Sequence, residues 1–323
     1  MGLIENPKTY TGRDLETIFF RPTFTGASAE QLGIRVLYNM PVPTTIQMWS
    51  PQSNVLQDYS PGWSGGNSAT RKQKRIDMTK IKAEVGFAAA DYFNQVYELI
   101  TGRADVNMDD LTGSELEKAE TEMFRAAIAE SLRVMMWLGD KGGRNYTKFD
   151  GFLKLAYKYV EEGDVPSEDF TDLSPSEDNI IDIFRRMWNA SSPELKALKA
   201  EGHLVYYVTS DLYDYYEHYL DKMGTDGAYT DTMSGRRELS YHGIKIVDMG
   251  VSQYMPFGIT GSSTHCILTD SRNLVLAVNT ADYPGSEVRM WYNADEMENR
   301  QRAVFMVGCE ILDENMLTIA QFV

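Results

Sequence analysis

The sequence predicts an α+β chain, and three stretches carry that reading. Residues 114–138 make an uninterrupted amphipathic run without Gly or Pro, the pattern of one long helix. The middle of the chain mixes helical periodicity with a single apolar strand, HLVYYVTS. The C-terminal third is a succession of short apolar runs separated by turn residues, the pattern of strands. With 323 residues, 43% of them hydrophobic and 24% charged, the chain can bury a large core and has a globular composition.

Taken in order, residues 1–35 are polar and irregular, with Phe19, Phe20 and Phe24 scattered among them. Such a segment buries little by itself and reads either as a frayed terminus or as an arm that packs on something else. Residues 36–50 read as extended, with two prolines that suit an edge strand or a turn. A Gly/Ser-rich loop at 60–70 follows, and alternation resumes after it, so 45–85 reads as a long two-stranded excursion with that loop at its tip. A hairpin polar on both faces is not stable alone and needs a partner surface.

DYFNQVYELI (91–100) reads as a short helix. In the long helix, Ser114 with Glu117 forms a capping box and Gly139 marks the end. FDGFLKLAYKYV (149–160) is apolar, and EEGDVPSEDFTDLSPSED reads as a solvated connection. NIIDIFRRMWNA reads as a helix, and SSPELKALKAEG as another with Ser192 as cap, Pro193 at its first position and Gly202 past its end. HLVYYVTS leads into helix DLYDYYEHYLDKMG. Strands LSYHGIKIVDM, THCILTD, NLVLAVN, EVRMWYN, RQRAVFMVGCEIL and MLTIAQF complete the chain.

Little chemistry is on offer. GWSGG (62–66) matches the G-x-S-x-G of serine hydrolases, but no buried strand precedes Ser64 and no helical run follows, so its hydroxyl reads as part of a loop tip. His203, His218, His242 and His265 lack metal-ligand spacing, and no Walker or paired Cys motif occurs. Asp211 and Asp214 read as partners of a helix dipole. Cys266 and Cys309 sit in apolar runs and read as buried free thiols. No catalytic residue, cofactor site or metal site is expected, nor is a signal peptide or membrane span. The net charge of −16 argues against broad nucleic-acid binding. One window runs the other way. Arg71, Lys72, Lys74, Arg75, Lys80 and Lys82 stand against the single acid Asp77, a basic stretch that reads either as a solvated face or as one able to find an acidic surface on a chain of its own kind.

The order of these elements resembles the tailed-phage major capsid protein family, with its Hong Kong ninety-seven-type fold. VYYVTSDLYDYYEHYL resembles the family's strand leading into an axial-domain helix, and YHGIKIVDMGV its "tyrosine–polar–Gly–apolar–Lys–apolar" strand. THCILTDSRNLVLAVN resembles its "apolar–Thr–Asp–x–x–Asn–Leu" hairpin, and RQRAVFMVGCEIL its closing peripheral strand. The resemblance implies an N-arm at 1–35, an extended loop with its strands at 36–90, and the spine helix with part of the peripheral domain at 91–160. An axial domain at 161–270 and peripheral closing strands at 271–323 complete the map. It implies a non-enzymatic shell protein, found in the virion and assembled in the host cytoplasm from hexamers and pentamers around double-stranded DNA. Its partners would be further copies of itself, a separate scaffolding protein, a portal, and DNA held without sequence-specific contacts. Inter-subunit contacts are then expected at Phe19 and Phe20 in the arm, Trp63 at the loop tip, and Arg71, Lys72, Lys74 and Arg75 at the loop base. Lysine–asparagine cross-links occur in some relatives, and the sequence assigns none to Lys72 or Lys74. An encapsulin-type compartment shares the same fold and is the alternative, with an unrecognised enzyme as a third reading.

Overall fold

The long helix organises the molecule. In the computed structural model, residues 28–40, 44–49, 58–59, 61–62, 71–88, 115–223, 239–257, 262–280 and 288–322 are described. Helix α1 (Glu115–Leu138) is continuous over 24 residues and so about 36 Å long. Its C-terminal half is driven into the core, where Leu132, Met136, Trp137 and Leu138 are fully buried. It stops at a backbone-to-backbone crossing. The Gly151 amide donates to the Gly139 carbonyl at 2.9 Å, and a Cβ on either glycine would overlap the last turn of α1. Only glycine fits there, which lets helix α2 (Phe152–Glu162) start directly against the end of α1.

Two sheets flank this helix pair. The five-stranded sheet is built around β12 (Glu298–Ile311). β4 (Thr79–Ala88) pairs with it from Glu298 to Val307. β11 (Val288–Asn293) and then β10 (Leu274–Val278) share its other edge, and β1 (Arg35–Leu37) adds in parallel to β10. The six-stranded sheet has the order β5 (Ser167–Asp169), β13 (Leu317–Gln321), β9 (Cys266–Asp270), β6 (Leu204–Val208), β8 (Ile244–Asp248), β7 (Ser240–Tyr241). Every residue of β6 is buried because both its faces are covered. Val205 and Tyr207 join the core under α1 and α2. Leu204, Tyr206 and Val208 join a second core under α3 (Ile180–Ala190), α4 (Pro193–Ala197) and α5 (Ser210–Lys222).

The two sheets exchange strands twice. β9 lies in the six-stranded sheet and β10 in the five-stranded one; β12 and β13 make the reverse passage. Asn273 clamps the two crossings. Its side-chain amide donates to Thr269 Oγ1 and to the Asp313 and Met316 carbonyls. Its side-chain oxygen accepts from the Asp313 amide at 2.8 Å.

Several expectations are corrected here. THCILTDSRNLVLAVN is not a hairpin but one of these crossings. The closing strands do not stay together, since β13 returns to the sheet of residues 167–270. Residues 28–35 are not free arm: Ala29, Leu32 and Ile34 are buried in this chain's own core, and Tyr207 donates to the Leu32 carbonyl at 2.9 Å. LSYHGIKIVDM is two strands turned at His242–Gly243, where both residues take positive φ. The acidic connection carries β5 and buries Val165 and Phe170. The helix capped by Ser192 and Pro193 is short and tightens into a 3-10 turn before Gly202. The proposed helix at 91–100, residues 1–27, Ser64 and Ser114 lie outside the described residues.

Candidate assembly surface

The two-stranded excursion is present as an antiparallel ribbon, β2 (Thr44–Trp49) against β3 (Arg71–Ile76). It is shorter than 45–85 suggests. The chain leaves the ribbon at Asp77–Met78, and residues 79–88 become β4 of the five-stranded sheet. A close backbone approach marks the break. Gly308 of β12 lies directly beneath Asp77 and Met78, and a Cβ there would meet the Asp77 carbonyl. The ribbon base crosses the sheet at that glycine, and its alternation is reset on the far side.

The inward face of the ribbon is apolar and closes a third small core. Ile76 is fully buried against Val275, Ala277 and Leu312, with Ile46 and Met48 packed beside it. Lys74 stands on the same face. It bonds the Glu314 carboxylate, lies 3.8 Å from Glu310 and sits 4.2 Å over the Tyr159 ring. Tyr159 donates to Glu310 at 2.7 Å. Burial works against the Lys74 charge, but Glu314, Tyr159 and Glu310 together outweigh it and hold the ammonium well above its ordinary range. Burial pushes the Tyr159 hydroxyl up to about 12. Burial also raises the Glu310 carboxyl, against the opposing pull of Tyr159 and Lys74. The cluster locks the ribbon base to the body of its own chain.

The expected contact residues therefore divide. Lys74 is taken up within the chain. Lys72 reaches Asp313 at 3.6 Å while remaining half exposed, and Arg75 pairs with Asp77 at 3.0 Å on the outer face. The backbone of Arg71 lies in β3, while the side chain of Arg71 and all of Phe19, Phe20 and Trp63 lie outside the described residues. Sequence reading missed Glu310, Glu314 and Tyr159. The signal for Glu310 was present: a lone acid in the apolar run AVFMVGCEIL calls for a buried cation.

Among the described residues no group of potential metal ligands converges, and no helix is long and apolar enough to cross a membrane. Both cysteines are buried and unbridged. Asp211 stands in the first turn of α5 and accepts from the Thr264 hydroxyl. His203, His218 and His242 are exposed. His265 is buried, with Tyr157 at 3.0 Å from Nδ1.

No family model matches this sequence, and no curated protein does. Solved structures match along almost its whole length. A chain of Gordonia phage Cozz superposes with a TM-score of 0.56 at 12% identity, over 94% of this chain and 89% of that one. The capsid of a native GTA particle gives 0.55 at 12%, over 99% and 96%. The capsid of Myoviridae phage XM1 gives 0.52 at 14%, over 98% and 100%.

Proposed function

We propose, for a chain whose fold is that of tailed-phage major capsid proteins, that it self-assembles into hexamers and pentamers of an icosahedral head around double-stranded DNA. The observation that carries this reading is the ribbon. Its inward face is anchored by Ile76, Ile46, Met48 and Lys74, while Thr45, Gln47, Gln73 and Arg75 of its outer face are exposed. A two-stranded ribbon with a solvated outer face gains stability when a further surface covers it. That surface is a neighbouring subunit. The acidic body, at −16 overall, keeps a shell from gripping its DNA cargo. The Tyr159–Glu310–Lys74 cluster serves as a structural anchor in this reading, not as an acid–base pair. A scaffolding protein and a portal act as separate partners, and the chain resides in the virion after assembly in the host cytoplasm.

The test is particle formation. Sizing chromatography and negative-stain microscopy of the expressed chain are expected to show closed shells or capsomers. A species that stays at 36.6 kDa under all conditions refutes the reading. Shells that fill with a co-expressed cargo protein and exclude DNA would assign the chain to the encapsulin-type alternative.

A further inference from the structure

We infer that the outer face of β4, β12 and β11 is an interface for a second copy of this chain, and that it receives the acidic stretch 161–178 of that copy. The inference rests on the shell reading and adds the pairing of surfaces to it. Strand alternation places Lys80 and Lys82 of β4, Arg300 and Arg302 of β12, and Arg289 and Trp291 of β11 on one face. The opposite faces of these strands carry Ile81, Ala83, Ala303 and Phe305 into the core. Toward Ile311 the outer face is roofed by the chain's own ribbon, at Gly308 and Glu310. Toward Glu298 nothing among the described residues roofs it.

This uncovered part is mixed: Arg300, Arg302 and Val304 follow one another along the outer face of β12, and Trp291 stands opposite Arg300 on the edge strand β11. Trp291 and Val304 are each 37% exposed, and Arg302 lies 5.5 Å over the Trp291 ring. Glu84 pairs with Lys82 and Arg302, and Glu296 and Glu298 pair with Arg300. Lys80 and Arg289 are exposed and enter no ion pair among the described residues. The face is therefore net basic on a chain of −16. The complementary surface is on the same molecule. The stretch 161–178 has no Lys or Arg, and its Glu161, Asp164 and Asp172 are exposed and enter no ion pair among the described residues. A basic face on one copy and an acidic stretch on the next make a head-to-tail contact, the kind that closes rings.

The experiment uses the full chain. Zero-length carbodiimide coupling of wild-type particles is expected to join Lys80 or Lys82 of one copy to Glu161, Asp164 or Asp172 of another. Combined K80E/K82E/R289E is expected to weaken assembly about tenfold at low salt, with the urea midpoint of the subunit unchanged because all three side chains are exposed. Adding E161K/D164K/D172K is expected to restore assembly. Normal assembly of the triple reversal, or cross-links confined within one chain, overturns the pairing and leaves the shell reading standing. A wild type that never leaves the monomer overturns both. A triple reversal that assembles normally but retains less DNA would show that the face serves nucleic acid, and also overturns the pairing.

Discussion

Replacing Lys74 with Met keeps an apolar stem of similar length and removes the cation from the ribbon anchor. Lys74 is 18% exposed in its side chain, and its neighbours Glu310 and Glu314 are 11% and 24% exposed. Without it, Glu310 keeps two donors, the Tyr159 hydroxyl and the Ile311 amide, but no counter-charge. Removing one member of a buried pair costs about 3–5 kcal/mol. Partial exposure and the ability of Glu310 to take up a proton reduce this to about 2–3 kcal/mol near pH 8. The pH dependence has a definite sign. Burial already holds the Glu310 pKa above its ordinary value, and loss of Lys74 raises it further. A carboxyl raised in the folded state contributes stability below its unfolded pKa, of about 4.3, and loses it as pH rises through the folded value. The deficit of Lys74→Met is therefore largest above neutral pH and shrinks on acidification. Urea titrations of the monomeric chain at pH 5 and pH 8, for wild type, Lys74→Met, Glu310→Gln and the double variant, measure it. Equal deficits at both pH values, or a coupling energy below about 0.5 kcal/mol, would refute the account of the anchor.

Three further outcomes are expected. Proline at Ala127, in the middle of α1, removes one helix bond and clashes with the preceding turn, for about 3 kcal/mol or more; soluble yield and circular dichroism read the loss. Asn273→Ala unties four hydrogen bonds at the strand crossings and leaves the Asp313 amide without its acceptor, about 1–3 kcal/mol by urea titration. His265 is held neutral by burial, its pKa lowered from 6.5 to about 4. Its contribution is full above pH 6.5 and is lost as pH falls through 4, up to about 3 kcal/mol; Gln in its place should flatten the pH–stability curve over that window.

What the sequence disclosed depended on how local the cause was. The extent of α1 was legible because its start and stop are written in neighbouring residues, the acidic first turn and Gly139. The ribbon was legible in its alternation. Its end at Asp77–Met78 was not, because there the chain passes tightly over Gly308, more than two hundred residues away in sequence. The turn at His242–Gly243 was missed because His is an unusual first residue for positive φ, although Gly243 marked the place. β5 carries only Ser167, Glu168 and Asp169, a pattern no rule separates from loop, and it becomes a strand by pairing with β13. The four basic contact residues were read from charge and the resemblance. Charge does not say whether an acid lies on the same chain or on a neighbour, and for Lys74 three-dimensional proximity assigned it to Glu310 and Glu314.

The paired crossings at Asn273 bear on how the molecule responds to load. Each sheet contains a strand whose immediate continuation belongs to the other, and both passages run side by side through one clamp. A hinge needs a place where few connections cross, and here two connections and a shared core cross together. The lobes therefore open as one cooperative unit, expected as a single calorimetric transition rather than two. In the proposed shell, a change of curvature would be carried by the two sheets together as by one stiff plate.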